Sequence, residues 1–180
     1  MSWDFEVLKT NLACFRTESF EAFCKAKGYT ISMHPDTNLK EDSGFMPFRI
    51  AGDFLSELNG NGYISGFELY SEPSKTAVGS SSKGLLKGIF GKKSQPVTAN
   101  SEADKHDLVL ICGDQLEIFL AHLFGSYFLE SQGCLCYDPQ DDIEYVTQSQ
   151  IEKTIMEIHN EIKLQFSSGK LELHIFQSWS

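Results

Sequence analysis

The chain has 180 residues, 41% of them hydrophobic and 12% aromatic, and it carries a formal net charge of −10. This length and composition exclude a disordered chain and favour a single folded domain over residues 1–180. The sequence has no apolar run of the ~20 residues that a membrane helix needs, no signal-peptide pattern and no disulfide-like cysteine framework. We therefore expect a cytoplasmic protein without stable membrane insertion.

The N-terminal segment predicts two helices. Apolar residues from Phe5 to Phe15 recur at three- and four-residue spacing, which is typical of one face of a helix. Thr17 is expected to begin a second helix, which ends at Gly28.

Short strands are predicted along the rest of the chain. They are expected at 29–33, 63–70, 108–112, 134–137 and 171–175, where apolar residues alternate or cluster. Residues 45–50 form either a strand or an irregular stretch, because Pro47 disfavours a central strand.

Two long helices are predicted in the second half. One begins at Asp114 and ends at Gly133. The other follows Thr147, which forms a capping-box pattern with Gln150, and ends at Gly169. The order of elements predicts an α+β fold, a single-domain sandwich of a mostly antiparallel sheet packed against helices.

Residues 73–106 are rich in Ser, Gly and Lys, and we expect a long flexible loop inside the domain. Its centre, residues 83–93, combines apolar and cationic side chains, with Leu86, Lys87 and Phe90 as candidate contact residues. Three roles are open for it. It contacts an acidic membrane surface, as in a membrane-peripheral adaptor; it docks on a partner or on the protein's own acidic surface; or it has no assigned role.

The rest of the chain is more acidic than the total charge indicates. Without five lysines of this loop, 10 basic residues stand against 25 acidic ones, a formal charge of −15. An acidic body repels nucleic acid and anionic membranes and favours a basic protein partner. The five lysines are Lys75, Lys83, Lys87, Lys92 and Lys93.

The cysteines do not define a reaction. Cys134 and Cys136 are expected on one side of a strand, but a zinc site commonly uses two such pairs and the sequence has no second one. We therefore predict neither a metal nor another cofactor. Cys112 precedes a helix N-terminus, which would lower the pKa of its thiol, and His122 lies on that helix. A small enzyme that uses Cys112 is one alternative function.

The acidic stretch 138–144 is the candidate contact surface. Its carboxylates would attract basic groups of a partner, and two flanking tyrosines would supply aromatic anchors. A solvated turn, or an enzyme that uses these carboxylates, also fits the cluster, whereas the spacing of a calcium loop is missing. The predicted partner-binding residues are Tyr137, Asp138, Asp141, Asp142, Glu144 and Tyr145.

One motif has a likeness among known families. Residues 132–140 (QGCLCYDPQ) follow an apolar helix and precede a capped one. Over residues 107–165 this pattern resembles small bacterial α/β immunity proteins of interbacterial toxin systems, including type VI secretion. The resemblance implies a cytosolic inhibitor that binds and neutralises a cognate toxin, expected to be a basic toxin or effector domain. We thus expect a protein-binding module and not an enzyme.

Overall fold

A seven-stranded antiparallel sheet and three α-helices make up the part of the chain that the structure describes. The structure is a computed structural model, and it describes residues 2–41, 43–52, 62–74, 105–170, 173–176 and 179. In chain order the elements are β1 (Trp3–Asn11), a 3₁₀ turn (Leu12–Cys14), α1 (Thr17–Ala26), β2 (Thr30–Met33), β3 (Gly44–Ala51), β4 (Tyr63–Pro73), β5 (Lys105–Cys112), α2 (Gln115–Gln132), β6 (Leu135–Asp138), β7 (Ile143–Tyr145) and α3 (Gln148–Ser167). The strand order is β2-β3-β4-β5-β1-β6-β7, with every neighbouring pair antiparallel. The predicted α+β class is confirmed.

The first strand shows that the helix predicted near the N-terminus is wrong. Residues 3–11 form β1, which lies between β5 and β6 inside the sheet. Phe5 pairs with Leu110 and Val7 with Cys136. Phe5 and Val7 are fully buried while Glu6 between them is half-buried, so the segment alternates with a period of two residues. Pairing on both sides outweighs the helical spacing of its apolar residues.

Helix α2 is the middle layer of the fold. Every residue from Leu116 to Leu129 is buried, because α2 packs on the sheet on one side and against α1 and α3 on the others. Its ends carry the predicted signals. The Asp114 side chain accepts a hydrogen bond from the backbone N–H of Glu117 at 2.9 Å, and Gly133 ends the helix with a φ of 67°.

The core is aromatic where the layers meet. The ring of Phe124 on α2 lies 5.4 Å from Phe20 of α1, 6.0 Å from Phe48 of β3 and 5.6 Å from Phe67 of β4. These tilted and edge-on contacts are the arrangements that aromatic pairs favour. A single cluster of rings therefore joins helix α1, helix α2 and the sheet.

Most other predicted elements are confirmed with small shifts of their ends. Residues 45–50 lie in strand β3, where Pro47 stands opposite Gly66 of β4. Of the strand predicted at 171–175, residues 173–175 are described and lie outside any strand, and the next residue, Phe176, forms a bridge with Ile64. At the two ends of the loop predicted at 73–106, β4 extends to Pro73 and β5 begins at Lys105.

The centre of that loop lies outside the described residues. This applies to the cationic and apolar segment 83–93 and to its candidate contact residues Leu86, Lys87 and Phe90. Among the helices that are described, none has both the length and the apolar character needed to cross a membrane.

Candidate binding face

The helices cover one face of the sheet, and no described element packs over most of the other. Along β5, Leu108, Leu110 and Cys112 are buried under α2, whereas the alternate residues Val109 and Ile111 remain partly exposed. The same alternation continues on the neighbouring strands. We call the outward positions the open face: Asp4, Glu6 and Leu8 of β1, Glu68, Tyr70 and Glu72 of β4, Asp107, Val109 and Ile111 of β5, Leu135 and Tyr137 of β6, and Glu144 of β7.

Cross-strand pairing arranges these residues in rows that mix acidic with apolar or aromatic groups. One row runs from Glu144 through Tyr137, Glu6 and Val109 to Tyr70, since each residue pairs with the next on the adjacent strand. Directly opposed residues have their Cβ atoms about 4.5–5.5 Å apart, so the row is a continuous surface. The row contains two carboxylates, two tyrosines and a valine, and no basic residue.

The open face has unbalanced negative charge. Six of these twelve residues are acidic, and one basic residue of β5, Lys105, lies on the same side of the strand as Asp107. In the part of the chain that is described, none of these six carboxylates forms an ion pair. Partial burial raises the pKa of Glu6 above its usual value, and the nearby charges of Asp107 and Asp4 add to the rise. A cationic ligand would relieve this repulsion.

Two tyrosines of the open face are hydrogen-bonded to neighbouring acidic side chains. The Tyr70 hydroxyl donates a hydrogen bond to Glu68 at 3.0 Å, and the Tyr137 hydroxyl donates one to Asp142 at 2.9 Å. Both hydrogen bonds fix the tyrosine rings across the face and orient the carboxylates. Tyr70 is 44% exposed, so its ring is available as an anchor.

The predicted contact residues are only partly brought together. Tyr137 and Glu144 lie on the open face, and Asp141 and Asp142 are exposed in the turn that follows β6. Two predicted residues are corrected.

Asp138 and Tyr145, each 2% exposed, point into the core. Asp138 shares a side of β6 with buried Cys136, two residues earlier, and Tyr145 of β7 pairs with Cys136. The Asp138 carboxylate accepts hydrogen bonds from the backbone N–H groups of Gln140 and Asp141 at 3.1 and 3.3 Å, so it shapes the turn.

Beneath Asp138 lies a buried histidine. The Nε2 atom of His122 is 4.0 Å from Asp138 Oδ2, and its Nδ1 atom lies 2.9 Å from the carbonyl oxygen of Ile118. Burial lowers the pKa of His122 to about 4 and raises the pKa of Asp138 above its usual value. The imidazole is therefore neutral at pH 7 and is a core group, with the Phe5 ring 4.3 Å away.

Cys112, Cys134 and Cys136 are buried core residues. Cys112 is fully buried, and burial raises the pKa of its thiol, with Glu117 and Asp114 adding to the rise. The lowered pKa expected from the helix N-terminus is thus wrong. The Cys134 sulfur points to Lys9 O and the Cys136 sulfur to Gly125 O, and neither belongs to a group of metal ligands among the described residues.

Most of the open face was missed from the sequence. Glu6 falls within the helix predicted from Phe5 to Phe15, and Glu68, Tyr70 and Asp107 lie on strands whose pairing the sequence does not reveal. The available signal was alternation, as in 68–72, where an acidic or aromatic residue occupies every second position.

Comparisons with known proteins found no match for this chain. No model of a known protein family matches it, and neither a curated protein nor a solved structure does.

Proposed function

We propose that this protein is a protein-binding module that holds a basic partner on its open face. The observation that carries the proposal is the row Glu144–Tyr137–Glu6–Val109–Tyr70, which presents carboxylates beside aromatic and apolar groups on an uncovered sheet. Carboxylates attract Lys and Arg from a distance, and aromatic anchors supply most of the energy after contact. Together they fit the surface of a basic protein.

The structure contains further exposed aromatic groups at one end of this face. Phe45 of β3 pairs with Glu68, and its ring lies 5.8 Å from that of Phe176. Both rings are about half exposed, at 50% and 51%. They lengthen the surface beyond β4 and supply apolar area that solvent-exposed acids alone would not.

Within this class, we propose that the protein is an immunity protein that neutralises a basic bacterial toxin. Support comes from the resemblance around residues 132–140 and from the charge of the face. An acidic inhibitor gains association rate against a basic toxin, because the opposed fields steer their encounter. The open face would then cover the toxin's own basic, substrate-binding surface.

The test compares binding of three versions of the full chain. Affinity capture from the source organism, together with the product of any adjacent toxin gene, supplies candidate partners. Binding of each purified candidate is then measured for the wild type, for E6Q/E68Q/E144Q on the open face, and for E18Q/E157Q/E161Q. The last variant removes the same charge from exposed positions on α1 and α3.

We expect the open-face variant to bind about 10-fold more weakly, because three charge contacts at ~0.2–1 kcal/mol each amount to roughly 1–2 kcal/mol. Most of the loss should appear in the association rate and shrink at high salt. The α1 and α3 variant should bind as the wild type does. Equal weakening of both variants, or none in either, would remove the open face as the binding surface. Failure of co-expression to protect cells from the toxin would remove the immunity role alone.

A further inference from the structure

Three potential metal ligands converge at the N-terminus of α2. The Nδ1 atom of His174 lies 3.6 Å from Asp114 Oδ2 and 3.6 Å from Glu117 Oε1. All three ligand atoms lie within 4.8 Å of one another. His174 belongs to a segment sixty residues from Asp114 in sequence, so helix capping alone does not account for its position.

The backbone holds each carboxylate by one of its oxygens. Asp114 Oδ1 accepts a hydrogen bond from the N–H of Glu117 at 2.9 Å, and Glu117 Oε2 accepts one from the N–H of Gly113 at 2.5 Å. These bonds leave Glu117 Oε1 and the second oxygen of Asp114 facing His174. The N–H of His174 also donates to Asp114 Oδ2 at 2.6 Å, which anchors the histidine backbone beside the carboxylates. The three ligands are therefore positioned before any ion arrives.

The cluster is enclosed on the protein side and open on the solvent side. The side chains of Asp114 and Glu117 are 6% and 11% exposed, whereas that of His174 is 66% exposed. A Cβ atom at Gly113 would lie 3.4 Å from Glu117 Oε2 and 3.6 Å from His174 Nδ1. The glycine thus leaves space next to the ligands, and an ion has a direct route from solvent.

We propose that Asp114, Glu117 and His174 bind a divalent transition-metal ion, and that zinc fits them best. Zinc binds histidine nitrogen and carboxylate oxygen at about 2.0–2.2 Å, so two ligands of a tetrahedral ion lie roughly 3.3–3.6 Å apart. The two distances of 3.6 Å from the histidine nitrogen agree with that edge. Three protein ligands leave a fourth position for water or for a group from another molecule.

The charge of the cluster favours a cation despite the helix. The N-terminus of α2 contributes the equivalent of roughly half a positive charge, whereas two ionised carboxylates contribute two negative charges. The net potential at the ligand atoms is therefore negative.

Binding of a metal ion would hold residues 173–176 against the core. His174 lies two residues before Phe176, whose backbone N–H and carbonyl both bond to Ile64 of β4, at 2.7 and 2.8 Å. An ion on His174 would fix this segment between α2 and the sheet. The site would thus control how firmly Phe176 is held at the end of the open face.

Calorimetric titration of the full chain with Zn²⁺, under reducing conditions in a non-chelating buffer, tests the site. The wild type should bind one equivalent. H174A and E117Q should bind more weakly by more than the roughly 10–100-fold that loss of an outer-shell partner costs. E117Q keeps an oxygen that accepts from Gly113, and H174A alters an exposed side chain, so far-UV circular dichroism should show both variants folded.

The matched control is H34A. His34 lies 3.9 Å from the Asp36 carboxylate but belongs to no group of three ligands in the described chain, so the variant should bind Zn²⁺ as the wild type does. Replacing Zn²⁺ with Co²⁺ should give a spectrum without thiolate charge-transfer bands. Absence of saturable binding, unchanged affinity in H174A, or thiolate bands from the cysteines would each overturn the proposal. None of these results bears on partner binding by the open face, because the three acidic residues altered there are different.

Discussion

Replacing His122 with Phe should make the protein less sensitive to mild acid. In the native state His122 is buried against the Phe5 ring and faces Asp138 Oδ2 at 4.0 Å. Its Nε2 atom has no hydrogen-bond partner in the described part of the chain. A phenyl ring can occupy this aromatic environment without a titrating group.

The pKa values set the size of the effect. Burial lowers the pKa of His122 from 6.5 to about 4. As the pH falls below 6.5, the His122 imidazole becomes protonated in the unfolded chain but stays neutral in the native state. The free energy of unfolding therefore falls until the pH reaches the native pKa. Linkage gives a loss of about 2 kcal/mol between pH 7 and pH 5, and about 3 kcal/mol once both states are protonated. The raised pKa of Asp138 acts in the opposite direction, but that residue is present in both proteins.

Urea unfolding at pH 7, 6 and 5, followed by circular dichroism, measures the difference between the wild type and H122F. The gap between the two free energies of unfolding should change by about 2 kcal/mol in favour of H122F on going from pH 7 to pH 5. Parallel loss of stability in both proteins would refute the reasoning. Titration of the His122 ring protons by nuclear magnetic resonance gives an independent check, since a midpoint near 6.5 would also contradict it.

Three further predictions concern packing, thiol reactivity and the charge of the open face. Gly125→Ala should lower the free energy of unfolding by about 1–3 kcal/mol in urea, because its Cβ would lie 2.5 Å from Phe5 Cε1. Iodoacetamide should modify exposed Cys14 quickly and Cys112 only on unfolding, as mass spectrometry of the native protein would show. Fast native labelling of Cys112 would contradict this and support the thiol-enzyme alternative. Glu6→Gln should raise the melting temperature at pH 7, because the native state raises the pKa of Glu6; the advantage should vanish at low pH, where Glu6 is protonated.

The N-terminal strand shows why the local sequence pattern did not predict the type of every element correctly. Apolar residues from Phe5 to Phe15 fit a helical period, and Phe5 and Val7 equally fit a strand. Only the neighbours on β5 and β6 decide between them, and those lie about a hundred residues away. By contrast, α2 and α3 were predictable because their end signals, Asp114 and Gln150, are local.

In the candidate sites, too, local spacing could be predicted from the sequence, whereas contacts between distant residues could not. The pairing of Asp114 with Glu117 is visible as a three-residue spacing, but nothing in the sequence places His174 beside it. On the acidic stretch, the spacing of Tyr137 and Asp138 shows that they face opposite sides, yet it does not show which side is buried. That choice is made by α2, which covers Asp138 and leaves Tyr137 outside.

The central position of β1 also affects how this chain is made. The backbone of Lys9 is bonded to Asp107, 98 residues later, and that of Asn11 to Gln132, 121 residues later. During synthesis, β1 therefore has no complete set of sheet partners until both β5 and β6 have left the exit tunnel of the ribosome. Because contacts between distant residues form slowly, the newly made Phe5 and Val7 stay exposed to chaperones or to other nascent chains during that time.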